Sequence, residues 1–97
     1  MNTYITDYPK YCLLCGKPNV DPHHLVFGGS LRKLADEDGL VIPVCRSCHD
    51  EIHANPTASK LSKMLGQTIY ELNENVHKGE IKSAREKFRT RYGRSYL

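Results

Sequence analysis

The chain has no long apolar run. It opens on the polar stretch "MNTYITDYPKYC", so neither a signal peptide nor a membrane span is expected. Without export the expected compartment is the reducing cytoplasm, where disulfides are disfavoured. No internal repeat and no low-complexity segment interrupts the sequence, which excludes solenoids and compositionally biased tracts. The chain's 97 residues make one small domain. At that size a core alone stabilises only thinly, and a staple helps.

Cysteine is scarce as well, and its placement is informative. The 4 cysteines come as two Cys-x-x-Cys pairs, Cys12/Cys15 and Cys45/Cys48. In a reducing compartment such pairs more often bind metal than bridge. "VCRSCHDEIH" also spells Cys-x-x-Cys-His, the attachment pattern of a c-type haem. Haem attachment normally follows export, however, and it would leave Cys12 and Cys15 without a task. Each pair instead places two sulfurs about one ion, and together they complete a tetrahedral structural zinc site. Gly16 to Val44 is a longer insertion than a plain zinc ribbon carries, so folded structure is expected between the pairs.

Local patterning outlines that structure. "DPHHLVF" reads as a strand opened by Pro22, and "LVIPV" as a buried strand held to an edge or end by Pro43. "GGSLRKLADEDG" reads as a loop with one helical turn from Leu31 to Ala35, and "RSCHDEIHA" as a short helix. In "TASKLSKMLGQTIYELNENV" the residues Leu61, Met64, Leu65, Ile69, Leu72 and Val76 recur at helical spacing. Asn55-Pro56 is its start signal and Gly79 its stop. "EIKSAREKFRTRY" repeats the pattern with Ile81, Ala84, Phe88 and Tyr92. Both apolar stripes are expected to pack against the zinc core and each other. The fold class is α+β: a small zinc-stapled core over residues 11–55 and a helical, basic extension over 56–97.

Charge is concentrated at one end. From Lys78 onward, Lys78, Lys82, Arg85, Lys87, Arg89, Arg91 and Arg94 face only Glu80 and Glu86. A basic helix beside a neutral-to-acidic core suits a phosphate backbone, because neutralised phosphates release counterions. DNA is therefore the expected partner, contacted by Lys82, Arg85, Lys87, Arg89, Arg91 and Arg94.

Histidine is concentrated too. His23, His24, His49 and His53 fall in the metal region, while His77 reads as a solvated residue near a helix end. On a helix, His49 and His53 are i and i+4 and project from one face. Cys48 and His49 differ by roughly 100° about the axis, so one helix start can serve two ions. A single mixed Cys/His site with surface histidines is the alternative.

Taken together, "CLLC", "DPHH" and "GLVIPVCRSCHDEIH" resemble the HNH endonuclease family, whose nucleases share a ββα-metal core. The likeness is closest to compact phage-type members stapled by two Cys-x-x-Cys knuckles, and covers about residues 11 to 55. The resemblance implies a metal-dependent DNA endonuclease that leaves 5′-phosphate and 3′-hydroxyl ends, in a host cytoplasm if phage-encoded. It makes His23 a ligand and His24 the general base. It assigns His49 and His53 to a catalytic divalent ion (Mg²⁺, Mn²⁺, Ni²⁺ or Zn²⁺) and the four cysteines to structural zinc. The chain departs from the family where a middle asparagine normally helps to orient the base: Gly39 or Leu40 stands there. Asp21, Asp36 or Asp38 is left to orient His24. Two other classes fit the residues: a non-catalytic zinc-stapled DNA-binding module, and a zinc-stabilised adaptor presenting the helix over 57–76 to a protein partner.

Overall fold

The computed structural model describes residues 5–78 and 84–97, apart from the side chains of residues 76–78. Strand β1 (Val20–His24) pairs antiparallel with β2 (Val41–Cys45), His23 opposite Ile42 and His24 opposite Val41. Between them lies helix α1 (Leu31–Glu37), a longer helix than the single turn expected there. β2 runs directly into α2 (Arg46–Ala54), followed by α3 (Pro56–Lys78) and α4 (Ala84–Tyr92). The Gly79 stop signal, Ile81 and Lys82 lie outside the described residues. Among the described residues, no helix is long and apolar enough to cross a membrane.

Two local signals shape the connection between the strands. The Leu40 amide donates to the Ala35 carbonyl at 2.8 Å and the Gly39 amide to Asp36 at 3.2 Å, a Schellman end to α1. Gly39 takes φ +71° there, in the left-handed region that a side chain disfavours. Gly39 thus ends the helix that precedes β2. At the other junction, Asn55 Oδ1 accepts the amides of Thr57 at 2.9 Å and Ala58 at 3.2 Å, capping α3 just before Pro56.

The core joins both halves of the chain. Leu25, Val26, Leu40 and Val44 from the strand region are buried with Phe88 and Tyr92 of α4, whose rings stack at 4.4 Å. Ala84, Phe88 and Tyr92 therefore pack inward at four-residue intervals, as the apolar pattern of α4 indicates. The helical extension supplies part of the core that the strands need.

Helix α3 departs from expectation. Leu61, Leu65 and Leu72 are 56%, 44% and 56% exposed, while Ser62, Gly66, Gln67 and Glu74 are buried. Ile69 and Tyr70 still turn toward the core. The inward face is set by close approach and by polar partners. A Cβ on Gly66 would lie 2.8 Å from Val26 Cγ2 and 3.0 Å from Leu25 Cβ. Ser62 meets His23, Gln67 holds the C-terminal tail, and Glu74 pairs with Lys87. The leucines are displaced to the neighbouring face, where Leu61 and Leu65 share an apolar groove with exposed Leu14.

Gly66→Ala is accordingly expected to destabilise the protein despite alanine's better helix propensity. The propensity gain is about 1 kcal/mol. Overpacking against a stiff, buried valine costs about 1–3 kcal/mol. Thermal unfolding of the variant should show a lowered midpoint; a raised midpoint would mean that α3 can retreat from Leu25 and Val26 without loss.

Candidate metal centre and cleft

Two separate clusters of metal-ligating side chains stand on either side of the start of α2. The ligand atoms of Cys12, Cys15, Cys45 and Cys48 lie within 4.8 Å of one another, and so do those of His23, His49 and His53. The single mixed site is not what the fold builds.

The cysteine cluster is compatible with structural zinc. In the first knuckle the Gly16 amide closes a turn on the Cys12 carbonyl at 2.8 Å, and the Leu13 amide donates to Pro43 of β2 at 2.8 Å. Cys45 ends β2 and caps α2, and Cys48 lies in the first turn of that helix. Contact with Cys45, then burial, pushes the Cys48 thiol up to about 12. Burial also acts to raise Cys12, but backbone hydrogen bonds from Cys45, Cys15 and Leu14 outweigh it and bring that thiol down to about 6. Four crowded sulfurs cannot all ionise without a cation among them, and this donor set suits Zn²⁺.

The histidine cluster is built by the strand's alternation and the helix's period. His23 is fully buried, whereas the neighbouring His24 side chain remains 12% exposed on the cleft side. The His23 ring lies 5.2 Å from His49 and 5.3 Å from His53, and those two are 4.8 Å apart on successive turns of α2. Phe27 walls the cluster, 4.6 Å from the His53 ring.

Ser62 decides which nitrogen of His23 is available. Its hydroxyl donates to the Leu25 carbonyl at 2.8 Å, so it must accept from His23 Nε2–H, also at 2.8 Å. The proton is thereby placed on Nε2, and Nδ1 is left buried as an acceptor without a hydrogen-bond partner. Burial, followed by the nearby His49, His53 and His24, lowers the His23 pKa to about 3. His53 is lowered as well, first by burial and then by His49. With its acceptor nitrogen unpartnered beside two more imidazoles, this cluster could hold a transition-metal cation.

His24 faces a cleft of about 190 Å³ lined also by Pro22, Phe27, Arg32, Arg46, His49, Asp50 and His53, with Asp50 3.8 Å from Arg46. Of the three candidate carboxylates, Asp36 meets it, Oδ1 lying 3.3 Å from His24 Nε2. Asp38 instead accepts from Arg91 at 2.7 Å and from the Tyr92 hydroxyl at 2.6 Å. Asp21 lies 3.0 Å from Arg46 and 3.6 Å from His49 Nδ1, so it braces the helix side of the cluster.

The sequence reading missed Arg32, Arg46 and Ser62. Arg32 had a signal: it lies four residues before Asp36, so a helix over α1 puts both on one face. Ser62 had none, because nothing local distinguishes it from a solvated serine. The basic tail is more compensated than its composition suggests. Arg85 pairs with Glu71, Lys87 with Glu74, Arg89 with Glu86, and Arg91 with Glu37 and Asp38. Arg94 lies 4.8 Å over the Tyr96 ring, and Lys82 is outside the described residues.

Comparison with known proteins places the chain in a family. Residues 3–79 match the model described as a protein of unknown function, DUF968, and the chain belongs to that family. A curated relative, the uncharacterized protein YdfU of Escherichia coli (strain K12), is 42% identical over 50 residues. That match covers 48% of this chain but only 14% of the relative's length. No solved structure matches the chain.

Proposed function

We propose that this protein is a metal-dependent DNA endonuclease of the ββα-metal type, with a zinc-stapled core. The observation that carries the reading is the His23–His24 pair. One residue offers an orphaned, tautomer-fixed nitrogen to His49 and His53, while the next faces an arginine-lined cleft and is braced by Asp36. The order β1, β2, α2 supports it: β1 supplies His23, α2 supplies His49 and His53, and β2 pairs with β1 and runs directly into α2. The reading carries with it a reducing, cytoplasmic setting in which the thiols stay free for zinc.

His23, His49 and His53 would hold the catalytic divalent ion. When bound, such an ion supplies charge relief on the phosphate and on the departing 3′ oxygen. The remaining chemistry belongs to the chain. Asp36 accepts from His24 Nε2–H, which leaves Nδ1 to take a proton from water in the cleft. The water oxygen bonds to phosphorus as the bond to the 3′ oxygen breaks, and the departing oxygen takes a proton from solvent, leaving 5′-phosphate and 3′-hydroxyl ends. Asp36 then steadies the imidazolium, the part the missing asparagine leaves unfilled. Arg32 and Arg46 hold the phosphate by charge and hydrogen bonding.

A supercoiled-plasmid assay with Mg²⁺, Mn²⁺, Ni²⁺ or chelator tests the class directly; no nicking with any metal would leave the non-catalytic DNA-binding module. Asp36→Ala is expected to lower the rate by about 10²-fold or less, the lower end of what a positioned base contributes. The exposed Leu13, Leu14, Leu61, Leu65 and Leu72 are the observation that favours the adaptor reading, and they are compatible with a nuclease that also docks a protein.

A further inference from the structure

A second groove opens beside the cleft, between the first half of α3 and the C-terminal tail. It has a volume of about 600 Å³, and Lys60, Lys63, Arg94 and Tyr96 line it. Among the described residues no carboxylate pairs with Lys60, Lys63 or Arg94, in contrast to the compensated cations of α4. Tyr96 is firmly placed: its amide donates to Gln67 Oε1 at 2.6 Å, and the wholly buried Gln67 also donates to Ser95 at 2.9 Å. Arg94 sits 4.8 Å over the Tyr96 ring and Lys63 sits 5.8 Å over it. Lys63 also lies 4.6 Å over Phe27, the wall of the histidine cleft. Cations and aromatic rings thus run without interruption from His53 and Phe27, through Lys63, to Arg94 and Tyr96.

We infer that this groove binds a single-stranded DNA segment leading out of the cleft, so that the preferred substrate carries an unpaired flank beside the cut. The inference rests on the nuclease reading for its choice of DNA. Free cations follow phosphates, and a guanidinium stacked on a tyrosine is a flat platform for an unstacked base. A duplex hides its base faces and would use the charges alone; Tyr96 also packs on Phe88, 6.1 Å away, so its ring face and the guanidinium over it add to DNA binding only where bases are unpaired.

The test is binding rather than cleavage. Fluorescence anisotropy of a labelled oligothymidylate and of a hairpin duplex is measured on the zinc-loaded full chain without added divalent ions. Tyr96→Ala should weaken single-strand binding by about 5- to 140-fold, from stacking of about 1–3 kcal/mol per base, with a smaller change on the duplex. Lys60→Gln with Arg94→Gln, both at exposed positions, tests the groove without threatening the fold. This pair should flatten the single-strand salt slope by about 1.4. Unchanged affinity and slope in both variants, or equal losses on duplex and single strand, would overturn the inference even if plasmid is cleaved. Loss of single-strand binding in a protein that cleaves nothing would uphold the groove and remove the nuclease reading instead.

Discussion

Cys48→Ser is expected to abolish cooperative folding of the whole chain. Cys48 reaches the cluster from α2, the helix that also carries His49 and His53, so the knuckle and the histidine site share one support. Structural zinc bound by four thiolates contributes on the order of 10–16 kcal/mol in small domains. A domain of this size holds only about 5–15 kcal/mol in total, so the fold has too little left without the ion. Elemental analysis of the native protein should find about one tightly held zinc per chain, as one four-thiolate site requires. In the variant, zinc content should fall and the unfolding transition should broaden or vanish. Serine at Cys12 should act similarly, because the first knuckle is tied to β2 through Leu13 and Pro43. A variant with full zinc and an unchanged melting curve would remove the assignment.

The largest expected effect on activity separates the adjacent histidines. His24→Ala should reduce plasmid cleavage by about 10²–10⁴-fold, the usual contribution of a positioned base. Its folding, zinc content and DNA affinity should stay close to native, since a base acts on the transition state more than on binding. His23→Ala removes a buried nitrogen of the proposed divalent-ion site and the donor to Ser62 Oγ, so it should weaken metal binding at the histidine cluster. Raising the metal concentration should restore part of its activity, and the same titration should do nothing for His24→Ala. Metal titrations of cleavage on both variants read the difference. Full activity in His24→Ala would defeat the mechanism, and equal rescue of both would mean that the two roles are wrongly divided.

What the sequence determined by itself was whatever repeats at short range. Cysteine pairs with two residues between them marked the knuckles, and the four-residue interval placed His49 and His53 on one helix face. Strand alternation sent His23 inward and left His24 toward the cleft. Asn55-Pro56 located the start of α3 because capping is a local bond. Tertiary structure decided the pairings between distant residues. Ser62 fixes the tautomer of His23 from 39 positions away, and Arg91 meets Asp38 across 53. Those pairings left Asp36 for His24, neutralised most of the described tail cations, and turned α3 so that a glycine and polar residues face inward while three leucines face out. Periodicity reports which side chains share a face. It does not report which face must approach a neighbouring backbone closely, or which carboxylate an arginine will meet, because both follow from how the elements pack.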